Sequence, residues 1–200
     1  MAADRVSVID AIYCRRSVRA FEPGKLDQAT IRGLLDAAVQ APTAMHAEPW
    51  AFVVIQDSAM LKLISDRAKA GWLADPFRHR DVPSFIEPRK TTTFLDLLID
   101  PHASVFYDAS TLIVICGKPA GPFVAADCWL AAENLMLAAC GSGLGTCCIG
   151  SALAALNMPD VKAELKIPQT MAAVAAIIVG KPRGDTPPVS RKEPEILSWT

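Results

Sequence analysis

The sequence has almost no net charge. Twenty Lys and Arg side chains stand against 21 Asp and Glu, so the 200 residues carry a formal charge of −1 at pH 7. A chain without an excess of basic residues has no extended positive surface for a nucleic-acid backbone or an anionic membrane. We therefore expect neither nucleic acid nor membrane among its partners. An anion must instead be held by a few placed side chains, which indicates a small-molecule site.

Common nucleotide-binding, hydrolytic and metal-binding motifs are also absent. The sequence contains no GxxxxGK[ST], GxSxG or HExxH, which argues against the corresponding chemistries. The glycines at 141–145 follow a predicted helix, whereas a dinucleotide-binding fingerprint follows a strand. No CxxC occurs and His46, His79 and His102 are scattered. A zinc site thus lacks its ligand spacing, and we predict no metal.

Two segments that could direct the chain to a membrane lack the required character. Met1 to Val8 has no apolar stretch of the signal-peptide kind, so we expect no secretory signal. The uncharged segment 134–159 is long enough to span a bilayer, but its glycine-rich part, 141–151, would leave backbone groups unsatisfied in lipid. We interpret the segment as a buried element followed by a tight loop. The six cysteines are typical of a reduced chain, although adjacent Cys147 and Cys148 leave a strained redox pair open. We expect a cytoplasmic protein.

Composition and periodicity indicate one domain over 1–200. Apolar residues make up 52% and charged residues 20%, which argues for a large core. The pattern is not a regular alternation of strands and helices, and it predicts α+β layers around a mixed sheet. The predicted elements are a helix at 5–14, a helix from Asp27 to just before Pro42, a strand at 50–55, a helix from 57 or 58 to about 69, a strand at 111–116, a helix at 122–140 and a strand at 173–179.

Three segments of the chain are unusual. The predicted helix 122–140 is apolar nearly all round, so it must be buried in a core or between subunits. The irregular segment 71–103 carries four prolines, and we interpret it as a lid or binding loop, or else as mobile. The proline-rich segment 180–200 predicts an extended arm. The aromatic residues of the irregular segment, which either cover a site or pack in the ordinary way, are Trp72, Phe77, Phe85 and Phe94.

An arginine cluster lies at the end of the first predicted helix. Arg15, Arg16, Ser17 and Arg19 fall within five residues. A guanidinium group can hold a phosphate through two parallel hydrogen bonds, and a serine hydroxyl adds a neutral donor. The alternative is a solvated group of surface charges. Arg191, isolated in the arm, is a weaker candidate on its own.

The cluster and three further segments resemble the FMN-dependent nitroreductase family. The segments are RRSVRAF at 15–21, APTAMHAEPWAFVVI at 41–55, ENLMLAACGSGLGTCCIG at 133–150 and AAIIVGKP at 175–182. The resemblance implies a three-layer α+β fold, with a mixed central sheet flanked by helices. It also implies a homodimer with helix 122–140 in its core, a variable lid at 71–103 and a C-terminal arm that crosses onto the partner subunit.

The resemblance implies roles for individual residues. Arg15, Ser17 and Arg19 match the motif that holds the FMN phosphate and the ribityl and pyrimidine edges, with Arg16 contributing backbone. Arg191 matches a second phosphate ligand. The residues that match a loop reaching the flavin from the other subunit are Pro42, Thr43, Ala44 and His46. The residues that match the backbone facing flavin N5, with the Gly150 N–H as donor, are Ile149 and Gly150.

Two positions depart from the family pattern. His46 stands where the family commonly carries asparagine, and its imidazole either replaces the amide's hydrogen bonds or only fills its space. Some members place polar side chains against the pyrimidine ring, and segment 101–110 offers only His102 and Asp108 for this.

The implied activity is an NAD(P)H-dependent oxidoreductase. NADH or NADPH would deliver hydride to FMN, and a nitroaromatic, quinone or similar flat acceptor would take it in ping-pong order. No side-chain acid or base is implied, so we name no catalytic residue. Two alternatives stay open: another chemistry on the same fold (flavin fragmentation, dehalogenation or azoline oxidation) and a non-catalytic FMN-binding module.

Overall fold

A computed structural model describes residues 6–74 and 94–200. Its α-helices are α1 (Val8–Cys14), α2 (Gln28–Ala38), α3 (Ser58–Ala74), α4 (Phe94–Ile99), α5 (Val124–Gly141), α6 (Leu153–Leu156) and α7 (Pro159–Glu164). Its strands are β1 (Trp50–Ile55), β2 (Leu112–Gly117), β3 (Gly145–Cys148) and β4 (Ala172–Gly180). Short 3₁₀ turns occupy Ala44–His46 and Gly150–Ala152.

The strands form one sheet in the order β1-β2-β4-β3. All three strand pairs are antiparallel. A mixed sheet, as predicted, also contains parallel pairing. Among the described residues this pairing is an isolated bridge between Ser17 and Thr146. Continuous apolar runs such as β2 occur in parallel strands and in antiparallel strands covered on both faces. The apolar pattern therefore predicted buried strands without fixing their direction.

Helices cover both faces of this sheet, as the side chains of β2 show by pointing alternately to one face and the other. Leu112, Val114 and Cys116 belong to a core cluster with α3 and the segment containing α6 and α7. Ile113 and Ile115 point to the other face and pack with α2 and α5. Successive residues of a strand face opposite sides of the sheet. The result is the predicted arrangement of three layers, with a core on each side of the sheet.

Local signals account well for the start of α2. The Asp27 carboxylate accepts a hydrogen bond from Thr30 N at 2.7 Å, which satisfies one of the free N–H groups at a helix N-terminus. This bond holds the pKa of Asp27 below its usual value. Strand β1 also lies where the apolar run predicted it. The predicted cap and strand are both confirmed.

The structure corrects the prediction around residue 71. Helix α3 continues to Ala74 instead of ending near 69, and α4 lies inside the segment predicted to be irregular. Trp72 explains the continuation: its indole N–H donates to Ser151 O at 3.0 Å, and its ring meets Phe94 edge to face at 5.2 Å. These tertiary contacts outweigh the low helix propensity of Gly71. Phe77 and Phe85 lie outside the described residues.

A second correction concerns the chain from Gly145 to Glu164. Residues 145–148 were predicted as part of a tight loop, but they form the edge strand β3, and the short helices α6 and α7 come after it. Beyond Gly180, a bridge between Phe21 and Pro182 and hydrogen bonds to Ala20 and Glu22 extend the ordered contacts to Arg183. From there the chain continues without helix or strand to Thr200 and is exposed except at the half-buried Thr186. No helix among the described residues has the length and apolar character needed to cross a bilayer.

Candidate functional site

The arginine cluster lies against the edge strand β3. Val18 N donates to Thr146 O at 2.9 Å, and the Val18 side chain is buried. Gly145 makes this approach feasible, because a Cβ atom there would lie 2.7–2.9 Å from three atoms of Val18. The strand that was missed in the sequence is therefore the element that positions the cluster.

The guanidinium groups of the cluster have few acceptors of their own. Arg15 Nε lies 3.7 Å from a carboxylate oxygen of Glu133, and Arg19 Nη1 donates to Ser17 O at 3.4 Å. Arg16 donates through Nη1 to Tyr13 O at 2.6 Å and to Arg15 O at 2.8 Å. Its side chain thereby caps the end of α1, a role that the prediction of a backbone contribution missed.

One donor in this cluster has no partner. Arg16 Nε is buried, and no described residue accepts its hydrogen bond. A buried unsatisfied donor costs about 1–3 kcal/mol, so an oxygen-rich anion beside it would be stabilising. Two guanidinium groups with weak acceptors, beside a third with an unsatisfied Nε, have the chemistry expected of a phosphate site.

The aromatic ring of Tyr107 lies beside the guanidinium group of Arg19. The Arg19 guanidinium carbon lies 5.7 Å from the centroid of the Tyr107 ring, within the range of a cation–π contact. Tyr107 and Asp108 both have left-handed backbone, with φ of 51° and 56°, which is uncommon for residues other than glycine. Such conformations cluster at functional sites. No motif in the sequence pointed to this contact, because Tyr107 is 88 positions from Arg19.

Residues Ile149 and Gly150 continue directly from β3. Ile149 N donates to Ala176 O at 2.8 Å, which fixes the end of the strand. Gly150 begins a 3₁₀ turn, and the first N–H of such a turn has no partner inside it. Gly150 is exposed, with no atom within 4 Å of where its Cβ would be. The structure therefore links this predicted backbone donor to the arginine cluster through one short strand.

The loop containing Pro42, Thr43, Ala44 and His46 lies elsewhere in the chain. Its neighbour Trp50 pairs with Gly117 at one end of the sheet, whereas Cys147 and the arginine cluster lie at the other. The registers place Trp50 five residues along and three strands across from Cys147. This amounts to about 17 Å along the strands and about 14 Å across them. By this measure the loop approaches the sheet at the end opposite the arginine cluster of its own chain.

Arg191 and His102 are not joined to the cluster, whereas Asp108 directly follows Tyr107, which contacts Arg19. Arg191 is exposed in the C-terminal tail, and its guanidinium has no hydrogen bond or ion pair with the described residues of its own chain. His102 and Asp108 line a separate cavity of about 420 Å³, together with Lys25 and Gln56. Within the described residues, no group of three His, Cys, Asp or Glu side chains is placed to hold a metal ion.

All six cysteines are free thiols, including Cys147 and Cys148. Burial raises the pKa of Cys116, Cys128 and Cys148 to about 11. Burial also raises the pKa of Cys140 and Cys147. Since the thiolate is the reactive form, these five thiols should react slowly at neutral pH.

Alkylation tests this thiol assignment. Iodoacetamide at pH 7.5 is expected to leave five cysteines unmodified in the native protein and to modify all six after unfolding. Mass spectrometry of the digested protein reads each site separately. Rapid native labelling of Cys147 or Cys148 would contradict the assignment. The five protected residues are Cys116, Cys128, Cys140, Cys147 and Cys148.

Fold and site together define an α+β protein of three layers with an arginine cluster at one edge of its sheet. Residues 12–181 match the model of the nitroreductase family. The chain therefore belongs to the nitroreductase family. The predicted family and its fold class are confirmed.

Similar proteins agree with this assignment. A protein of Archaeoglobus fulgidus is 26% identical over 179 residues, covering 87% of this chain and 84% of that protein. Its name gives NADH dehydrogenase/NAD(P)H nitroreductase as a provisional assignment.

Solved structures share the fold. A nitroreductase from Bacteroides fragilis with bound FMN has a TM-score of 0.76 at 23% identity, covering 96% of this chain and 97% of that one. An iodotyrosine deiodinase bound to FMN and 3-iodo-L-tyrosine has a TM-score of 0.75 at 22% identity, covering 97% and 100%. At these identities the likeness shows the fold alone.

Proposed function

We propose that this protein is an FMN-dependent oxidoreductase that takes hydride from NADH or NADPH and passes it to nitroaromatics, quinones or similar flat acceptors. The observation that carries the proposal is the arginine cluster at 15–19. Arg15 and Arg19 have only weak acceptors there, and Arg16 Nε has none among the described residues. The family assignment and the FMN bound in the Bacteroides fragilis structure support it.

The residues present fit the phosphate of FMN. Arg15 would hold it through charged hydrogen bonds, the Ser17 hydroxyl would add a donor, and the unsatisfied Nε of Arg16 would gain an acceptor. Each hydrogen bond to a charged group contributes about 1.5–3 kcal/mol. Three arginines could thus supply much of the roughly 8 kcal/mol that a micromolar affinity requires. We assign Arg191 as a second phosphate ligand.

The chain's own residues would bind and orient the cofactor. When bound, FMN supplies the hydride chemistry at its N5 atom. Arg19, which lies beside the Tyr107 ring, would supply positive charge at the pyrimidine edge of the flavin. Gly150, beside Ile149, would donate its backbone N–H toward N5. No side-chain acid or base is needed in this scheme, and one shared binding face for donor and acceptor requires ping-pong order.

We propose further that the protein is a homodimer with two such sites. Residues 42–46 join the sheet at the end opposite the arginines of their own chain, which supports their role in a partner's site. Helix α1 packs on α5, and both leave large apolar side chains exposed. These side chains are Val8, Ile9, Ile12 and Tyr13 on α1 and Trp129 and Leu130 on α5.

An exposed apolar surface of this kind marks an interaction site. The predicted all-apolar helix is therefore not fully covered within one chain, which fits burial between subunits. Ile196, Leu197 and Trp199 in the tail are also exposed, as expected of an arm that crosses onto a partner. We place the protein in the cytoplasm, where its free thiols would stay reduced.

Anaerobic spectroscopy tests the proposed function. The purified protein, reconstituted with FMN, is expected to sediment as a dimer with one FMN per chain. Its visible absorbance should bleach on addition of NADH or NADPH and return on addition of a quinone or nitroaromatic. A dimer with full FMN that stays oxidised under both nucleotides would indicate a non-catalytic FMN-binding module instead. A monomer without FMN would contradict the whole proposal.

A further inference from the structure

The loop 42–48 is held in an unusual backbone conformation. Met45, His46 and Glu48 have φ of 54°, 52° and 42°, in the left-handed region that residues other than glycine rarely adopt. Such a conformation persists only where surrounding contacts impose it. The contacts that impose it therefore control the shape of the loop.

Asp127 provides the contact in the middle of this loop. Its carboxylate Oδ1 accepts a hydrogen bond from Ala44 N at 3.1 Å. The residue lies in the first turn of α5 and is only 4% exposed. It is a buried charge in a helix whose other buried residues are apolar or small. A buried carboxylate is retained where its hydrogen bonds compensate for lost solvation.

Hydrogen bonds to groups other than Asp127 fix the ends of the loop. Glu48 N donates to Thr43 Oγ1 at 3.4 Å, and Lys118 N donates to Pro49 O at 2.6 Å. Neither bond reaches residues 44–46. The bonds from His46 N to Thr43 O and from Ala47 N to Ala44 O stay within the loop. In the described part of the chain, Asp127 is thus the side chain whose hydrogen bond ties residues 44–46 to the body of the subunit.

The tip of the loop is exposed on the surface of its own chain. Met45 is 95% exposed and His46 is exposed, while the base of the loop is anchored on a buried residue. The arginine cluster of the same chain lies at the other end of the sheet. A rigid, outward-pointing tip is suited to a site in another subunit.

We propose that Asp127 is a positioning residue for the flavin site of the partner subunit. By fixing Ala44 it sets where residues 42–46 of one protomer stand in the site whose arginines belong to the other. This inference rests on the proposed function, since it requires both the homodimer and bound FMN.

The first experiment replaces Asp127 in the FMN-loaded dimer. Asp127→Ala is expected to speed amide hydrogen exchange in a peptide covering 41–50. It should also lower kcat/KM for a quinone by about 10- to 100-fold, since small misplacements of a site have effects of that size. Asp127→Asn keeps an acceptor oxygen and should restore most of both. Ser65→Ala is the matched control, because Ser65 is equally buried and accepts from Val105 N at 3.1 Å.

Mixed dimers test the action across subunits. A dimer of one Asp127→Ala chain and one Arg19→Ala chain, isolated with two different affinity tags, contains one site with both defects and one with neither. Its activity should recover to about half that of the wild-type dimer, although each homodimer is impaired. No recovery would mean that the loop serves its own chain, and this would overturn the proposal.

The exchange measurement separates the role of Asp127 from the proposed function. Unchanged exchange at 41–50 in Asp127→Ala would overturn the role of Asp127 even in an active enzyme. Failure of the wild-type protein to bind FMN would overturn the proposed function and the action on a partner's flavin site with it. Accelerated exchange in that case would still show that Asp127 anchors the loop.

Discussion

Replacing both Arg15 and Arg19 with Ala is expected to weaken FMN binding by about 10²- to 10⁴-fold and to abolish NAD(P)H-dependent reduction. The size follows from about 1.5–3 kcal/mol for each hydrogen bond to a charged group, since about 1.4 kcal/mol corresponds to tenfold in affinity. The fold of each subunit should persist, because neither side chain belongs to either core cluster. Fluorescence titration of the apoprotein with FMN measures the effect.

Two further variants sharpen this test. Arg32→Ala is the matched control, because Arg32 is an exposed residue of α2 that pairs with Asp36 on the same helix, and it should leave FMN affinity unchanged. Arg19→Lys keeps the charge but loses the planar fork of donors, so it should restore only part of the affinity. Wild-type turnover in Arg19→Ala would refute the role assigned to Arg19.

Replacing Gly145 with Val is expected to damage both the fold and the FMN site. The added Cβ alone would lie 2.7–2.9 Å from Val18 atoms, including its Cβ at 2.8 Å. Val18 is buried and β-branched, so it cannot rotate out of the way. The segment 17–19 must then shift from β3, which costs about 1–3 kcal/mol in stability by overpacking. Arg19 moves with it, so FMN affinity should fall at least tenfold.

A neighbouring glycine provides the control for this substitution. Gly141 is the last residue of α5, and a Cβ there meets no atom within 4 Å. Gly141→Ala should therefore keep both the melting temperature and FMN affinity close to wild type. Thermal unfolding and FMN titration of the two variants form the comparison. A stable Gly145→Val protein with wild-type FMN affinity would show that the contact with β3 does not position the arginines.

Elements whose signals are local could be predicted from the sequence. The start of α2 depends on the Asp27 cap and the apolar positions after it, and strand β1 on a compact run of apolar residues. Strand β3 could not be predicted in this way. It has four residues next to a glycine-rich turn, and its stability comes from pairing with β4 some 30 positions later. Helix α3 likewise runs past Gly71 because of contacts made by Trp72.

The same distinction between local signals and contacts distant in the chain applies to the candidate site. The residues of the arginine cluster are contiguous, so their chemistry was visible in the sequence. The residues that position them, Gly145 and Tyr107, are distant in the chain and have no motif of their own. Asp127 lies 83 positions from Ala44. The only sequence signal for it was that Asp127 is one of two charged residues, with Glu133, in a mostly apolar helix.

Riboflavin differs from FMN by lacking the phosphate, so comparing the two ligands isolates the interaction assigned to residues 15–19. Calorimetric titration of the apo dimer should show FMN binding at least about 100-fold more tightly than riboflavin, as expected for two or more charged hydrogen bonds. In the Arg15→Ala variant that difference should shrink while riboflavin affinity stays the same. Equal affinities of the wild-type protein for FMN and riboflavin would contradict a phosphate site at residues 15–19.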